Sequence, residues 1–251
     1  MEMNCIQFGK GDKTMVILPG LSLKPIADSA KSVKTAYKCF NDDYTVYLFD
    51  RRSDIGDEYG IDQMAEDTLA KIDEMGLKDI YLFGVSQGGM IAQTMVLKKT
   101  ELFKKMVLAS TASRFDDSKA SEWIALAEEK DARKLTQTFS KLIYSPQTYR
   151  KFKPFLAFMY KGMTEEDLRK FSVYAKGCLG FDVSGQVKEI AIPTLILGSI
   201  KDQVIAPKEM IFLHEQLPDS EIYLYEDYSH AVYDEADDFK ERIMNFFKKS
   251  L

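Results

Sequence analysis

Residues 82–90 read Leu-Phe-Gly-Val-Ser-Gln-Gly-Gly-Met, and this run constrains the fold more than any other stretch of the chain. The preceding Ile80-Tyr81-Leu82-Phe83 is β-branched and aromatic, as a buried parallel strand should be. The following Met90-Ile91-Ala92-Gln93-Thr94-Met95-Val96 is nearly all apolar, as a helix packed on a central sheet should be. Between them, Gly84 and Gly88 bracket Ser86. A Gly-x-Ser-x-Gly turn between strand and helix holds a serine hydroxyl exposed at a sharp corner, and the small residues let the two backbones approach closely. The helix then aims its N-terminal N–H groups at the reacting centre, which favours developing negative charge. The alternative reading is a tight turn with an incidental serine. The strand–turn–helix context favours the nucleophile.

A serine hydroxyl is a poor nucleophile at neutral pH and needs a general base, usually histidine, oriented by a carboxylate. The chain has two histidines, His214 and His230. His214 lies in a helical pattern ending before Pro218 and reads as a helix-surface residue. His230 follows a strand-like Glu221-Ile222-Tyr223-Leu224-Tyr225 and precedes a C-terminal helix, so it lies where open α/β sheets place their chemistry. For this type of serine the chain order is serine, acid, histidine. Asp202 fits, in a loop after the apolar Pro193-Thr194-Leu195-Ile196-Leu197-Gly198. The loop after Lys105–Ala109 contains no carboxylate, Asp116 and Asp117 read as a solvated turn, and Asp227 and Asp234 are too near His230 in sequence. An oxyanion site needs one backbone N–H after the nucleophile and another from an early loop. Gln87 supplies the first, and Leu21, in Leu18-Pro19-Gly20-Leu21-Ser22, is the choice for the second.

On these residues the chain resembles the α/β-hydrolase fold family, and within it the small capped esterases, enol-lactonases and carbon–carbon bond hydrolases. The run from Gly84 to Gln93 is the closest match. Phe49-Asp50-Arg51-Arg52 with Met64-Ala65-Glu66-Asp67 resembles that group's strand-end and helix pattern, and Gly198–Asp202 and Ser229-His230 match its acid and base blocks. The resemblance spans the chain apart from a divergent middle. One departure matters: the family often has His-Gly in the oxyanion loop, where this chain has Pro19-Gly20. The loop must be anchored another way.

The chain has 251 residues, enough for one α/β domain with an insertion. Its net charge of −5 argues against nucleic acid or an acidic membrane surface as partner. Cys5, Cys39 and Cys178 are scattered, with neither metal spacing nor a disulfide framework. Two histidines give no cluster for zinc, so no metal and no cofactor are expected. The N-terminus lacks a basic region and a long apolar stretch, and no segment has the length of a membrane span, so a cytoplasmic location is expected.

Strand patterns near Asn4–Phe8, Thr14–Leu18, Tyr44–Phe49, Ile80–Phe83, Lys105–Ala109, Thr194–Leu197 and Glu221–Tyr225 alternate with helical ones. They imply a mostly parallel central sheet flanked by helices. The middle differs. Trp123, Ile124 and Ala127 suggest one helix; Leu135, Phe139, Leu142 and Ile143 a second; Phe152, Phe155, Leu156, Met159 and Tyr160 a third; Leu168, Phe171, Tyr174 and Ala175 a fourth. The expected organisation is an α/β-hydrolase core of residues 1–113 and 188–251 with a helical cap inserted at 114–187. Met90 is expected to pack under the sheet.

The expected function is a carboxylesterase that cleaves a small, uncharged, partly hydrophobic ester through an acyl-enzyme at Ser86. Two other readings stay open. A carbon–carbon bond hydrolase or lactonase would set a substrate carboxylate against a base such as Arg51, Arg52 or Arg114, although each of these reads more readily as solvated surface. A non-catalytic ligand-binding protein could retain the fold.

Overall fold

The computed structural model describes residues 2–250. Seven strands form one sheet in the order β1-β3-β2-β4-β5-β6-β7. They are β1 (Met3–Gly9), β2 (Lys13–Leu18), β3 (Tyr44–Arg52), β4 (Ile80–Val85), β5 (Phe103–Ala109), β6 (Thr194–Ser199) and β7 (Ser220–Tyr225). Only β1 runs antiparallel, against β3; every other pairing is parallel. The helices are α1 (Ala30–Ala36), α2 (Ile61–Glu74), α3 (Gln87–Lys98), α4 (Ser121–Glu128), α5 (Ala132–Ile143), α6 (Pro146–Phe152), α7 (Leu156–Lys161), α8 (Glu165–Lys176), α9 (Pro207–Gln216), α10 (Val232–Glu235) and α11 (Phe239–Lys248). Among the described residues no helix is long and apolar enough to cross a membrane.

Alternation along the strands divides the core into two layers. Val16, Leu18, Ile80, Leu82, Met106, Leu108 and Ile196 face one side, with Met64, Ile72, Met95 and Met210 from α2, α3 and α9. Met15, Ile17, Phe83, Val85, Val107, Leu195 and Leu197 face the other, with Phe239, Ile243 and Phe247 of α11. Both faces are covered, which is why the central strands read as continuous apolar runs.

From β2 the chain steps to β3 on one side, then crosses to β4 on the other. The carboxyl ends of β2 and β4 therefore flank the point where the winding reverses, the usual ligand crevice of an open α/β sheet. Pro19-Gly20-Leu21 leaves β2 there, and Ser86 leaves β4.

Between β5 and β6 the chain leaves the sheet for α4–α8. It departs and returns at one place. Arg114 and Asp182 form an isolated antiparallel bridge, Phe115 N–H donates to Phe181 O (3.0 Å), and Val183 N–H donates to Ser113 O (2.8 Å). Trp123, Phe139 and Phe171 pack edge-to-face with centroids 5.1 and 5.5 Å apart, and they join the same core layer as Val16 and Leu82. The sequence pattern predicts one helix through Phe152–Tyr160. The structure has two short ones, because the pyrrolidine ring of Pro154 breaks the pattern into α6, a 3-10 turn at Lys153–Phe155 and α7. Of that helix's expected apolar face only Leu156 is buried.

Candidate active site

Ser86 sits at the corner between β4 and α3 with φ 51° and ψ −118°, a region L-residues rarely occupy. Several bonds hold it there. Ser86 N–H donates to Ala109 O (2.8 Å), and Ser86 O accepts from Gly89 N–H (2.8 Å), Met90 N–H (3.2 Å) and Thr111 Oγ1 (2.8 Å). The corner also needs Gly88, where a Cβ would lie 2.1 Å from Leu18 O. That is the close approach of α3 to the β2 end.

The structure brings Ser86, Asp202 and His230 together from three strand ends. Asp202 lies past β6, and its Oδ1 accepts from Val204 N–H (2.8 Å) and Ile205 N–H (2.9 Å). Its Oδ2 lies 2.8 Å from His230 Nδ1, and His230 Nε2 lies 3.0 Å from Ser86 Oγ. A carboxylate already accepting two amides offers an acceptor at Oδ2, so the imidazole proton belongs on Nδ1. Nε2 is then free to accept from the serine hydroxyl. Asp202 and His230 are both buried. The His230 loop is held by Ser110 Oγ donating to His230 O (2.7 Å) and by Ala231 N–H donating to Ile143 O (2.7 Å) at the end of α5. His214 is elsewhere, with Nδ1 2.8 Å from Ser220 Oγ.

Leu21 and Gln87 both line the pocket beside Ser86, and among the described residues neither N–H donates to a backbone carbonyl. Gly20 leaves room for the serine: a Cβ there would lie 3.2 Å from Ser86 Cβ. The Gln87 side chain turns away, its Nε2 donating to Tyr174 O (2.6 Å) and Cys178 Sγ (3.1 Å). This ties α3 to the end of α8. Burial pushes the Cys178 thiol up to about 11, so it stays protonated.

One residue differs from its sequence expectation. Arg51, expected at the solvated surface, is only 7 % exposed. Its guanidinium donates to Pro19 O (2.6 Å) and Gly20 O (3.1 Å), and this is how the loop lacking the His-Gly pair is anchored. Burial pulls the guanidinium below the usual arginine range, while the Asp50 carboxylate works to raise it. Asp50 also accepts from Ile26 N–H (2.7 Å), fixing the far end of the same loop. The available signal was the pairing of an unusual Pro19-Gly20 with a charged pair closing an apolar strand. Met90, expected beneath the sheet, is buried in the core layer that holds Val16 and Leu82, and it also reaches the pocket wall.

The pocket above Ser86 is a cleft of about 490 Å³, part of it open to solvent. Phe115, Trp123, Phe139 and Ile143 from the α4–α8 excursion form its roof, with Tyr233 beside His230. His230 is the one ionisable base on its walls among the described residues. Arg52 instead pairs with Asp54 and Asp67, and Arg114 with Glu209. Among the described residues no group of three or more His, Cys, Asp or Glu side chains is placed to hold a metal ion.

A family model described as the alpha/beta hydrolase fold matches residues 13–237. The chain is 24% identical over 238 residues to 3-oxoadipate enol-lactonase 2 of Acinetobacter baylyi, covering 90% of this chain and 85% of the other. MGS-M2, an alpha/beta hydrolase enzyme from a Medee basin deep-sea metagenome library, has a TM-score of 0.89 at 22% identity, covering 99% of this chain and 95% of that one. The enol-lactonase from Burkholderia xenovorans LB400 has a TM-score of 0.86 at 16% identity, covering 98% and 96%.

Proposed function

The chain belongs to the α/β-hydrolase fold family, and on that premise we propose that it is a serine carboxylesterase acting on small, uncharged, partly hydrophobic esters. The observation that carries this reading is the hydrogen-bonded line Ser86–His230–Asp202 at the foot of a cleft with apolar walls. In the proposed reaction Ser86 Oγ attacks the ester carbonyl carbon while His230 Nε2 takes the hydroxyl proton. Asp202 stabilises the imidazolium through Nδ1. The Leu21 and Gln87 amides receive the oxyanion, where aligned donors in a site closed to water are worth most. His230 returns the proton to the departing alcohol, leaving an acyl-enzyme. Water, deprotonated at Nε2, then adds to that carbonyl, and the acid leaves as Ser86 regains its proton. Residues 114–187 serve as a cap whose aromatic roof selects the acyl group and excludes water.

A lactonase reading has support in the Acinetobacter baylyi relative. A lactone is an internal ester, so the steps are the same. A lactone bearing a carboxylate would need a cation on the pocket wall, and Arg51, Arg52 and Arg114 are all engaged elsewhere. That favours neutral esters. The test is hydrolysis of p-nitrophenyl esters of graded acyl length, with Ser86→Ala alongside. Turnover by the parent and a loss on the order of 10⁶-fold in kcat for the variant are expected. Near-normal turnover by Ser86→Ala would sink the scheme, and faster opening of neutral lactones than of any ester would move the assignment to lactonase.

A further inference from the structure

The charge of this chain is unevenly placed. Residues 132–164 contain no Asp or Glu but seven cations: Arg133, Lys134, Lys141, Arg150, Lys151, Lys153 and Lys161. The rest of the chain sets 27 of the 34 cations against all 39 acidic residues. Among the described residues none of the seven is ion-paired, whereas the flanking Lys130, Arg169, Lys170 and Lys176 all are. The same segment exposes four large apolar side chains close together in sequence: Phe152 at 49%, Phe155 at 60%, Phe158 at 80% and Met159 at 44%. Large side chains clustered in the open mark a surface meant to be covered.

The position of this face gives it a use. α5 ends at Ile143, which lines the pocket, and Ser145 N–H and Oγ then donate to Glu235 just past His230. At the far end Lys24 Nζ, three residues beyond Leu21, donates to Gly162 O. The α6–α7 segment is thus pinned at one end to the His230 side of the cleft and at the other to the Leu21 side. Along the chain the exposed aromatic residues lie between these two anchors, and Ile143, just before the first, lines the apolar cleft.

We propose that the α6–α7 face docks on an anionic lipid surface and so presents the cleft to esters dissolved in that surface. Lys-Phe-Lys-Pro-Phe places rings where they can enter the acyl boundary and ammonium groups where they meet anionic headgroups. The net charge of −5 conceals this, because attraction at a surface acts over a Debye length of about 10 Å rather than over the whole molecule. Only the delivery of an ester rests on the esterase reading. The docking does not, and it is measured on a protein that cannot turn over.

Ser86→Ala protein is sedimented with vesicles of phosphatidylglycerol and phosphatidylcholine in equal parts, and with vesicles of phosphatidylcholine alone. Partition at least about 10-fold stronger onto the anionic vesicles is expected. Added Phe155→Ser/Phe158→Ser or Lys151→Glu/Lys153→Glu should each weaken it by about 10-fold. With Ser86 restored, the same double variants should keep the parent's rate on a water-soluble short-chain p-nitrophenyl ester while losing rate on a long-chain ester held in anionic vesicles. Absent partition, partition indifferent to both double variants, or a dimer that Phe155→Ser/Phe158→Ser dissociates would overturn the proposal. The dimer would make the face a contact between copies. Vesicle binding without any ester turnover by the parent would instead sink the esterase reading and leave the docking standing.

Discussion

Replacing Arg51 by Met removes both donors that hold the Pro19 and Gly20 carbonyls. The Leu21 amide would then wander while the cleft walls stayed in place. The expected result is a fall in kcat of about 10²–10³-fold with KM nearly unchanged, as for loss of an oxyanion donor, and partial recovery in Arg51→Lys. A rise in KM at constant kcat would make Arg51 a substrate contact instead. Asp202→Asn keeps an oxygen for the Val204 and Ile205 amides but turns an NH₂ toward His230 Nδ1. The imidazole proton would move to Nε2, which could no longer accept from Ser86. A drop in kcat on the order of 10⁴-fold is expected with the melting temperature nearly kept, measured by ester hydrolysis and by thermal unfolding. The strand–turn–helix corner that carries Ser86 was legible because its signal is local: the glycines and both flanking elements lie within a dozen residues. Arg51 was not, because its acceptors lie 31 and 32 residues away, and a charged side chain at a strand end looks solvated until those carbonyls are in place.

At the scale of elements, Lys105 in β5 is fully buried and its ammonium donates to Phe246 O (3.0 Å) and Lys249 O (2.6 Å), closing the C-terminal end of α11. Burial, and then the charge of Lys249, push its amine below the usual lysine range. Two opposing terms meet here: the cost of burying an ammonium, and charge-assisted bonds to carbonyls at the negative end of a helix. The bonds should win, because Lys105→Met leaves both carbonyls without that donor. A loss of about 2 kcal/mol is expected, which lowers the melting temperature by about 4–8 °C. A rise would mean that desolvation dominates. Elements with strong internal periodicity, such as α2 and α11, were readable from spacing alone. The pairing of β1 with β3 instead of β2 was not, since register between strands far apart in sequence has no local signature. The α6–α7 region was misread for a third reason. Helical spacing of aromatic residues resembles a core stripe, yet Pro154 splits it and most of its side chains face outward.

Taken whole, the molecule has more than one sheet-bound layer but no independent core in its excursion. Trp123, Phe139 and Phe171 belong to the same buried cluster as Val16, Leu82 and Met95. Thermal unfolding should therefore show one cooperative transition, with calorimetric and van't Hoff enthalpies in agreement; two separable transitions would mean that the excursion folds by itself. The fold class was legible at this scale from alternation of strand and helix. The roof over Ser86 was not, because which side of α4, α5 and α8 faces the serine is decided by packing among helices that the sequence leaves free to rotate. The paired hydrogen bonds at Ser113–Phe115 and Phe181–Val183 bear on more than the fold. Seen from the sheet, everything between them begins and ends at one point, so its length adds only a logarithmic entropic cost. Such a junction makes diet separable from chemistry: a descendant of this chain could exchange its whole roof at one locus, meet a new substrate, and inherit the four strand ends of the proposed reaction without altering any of them.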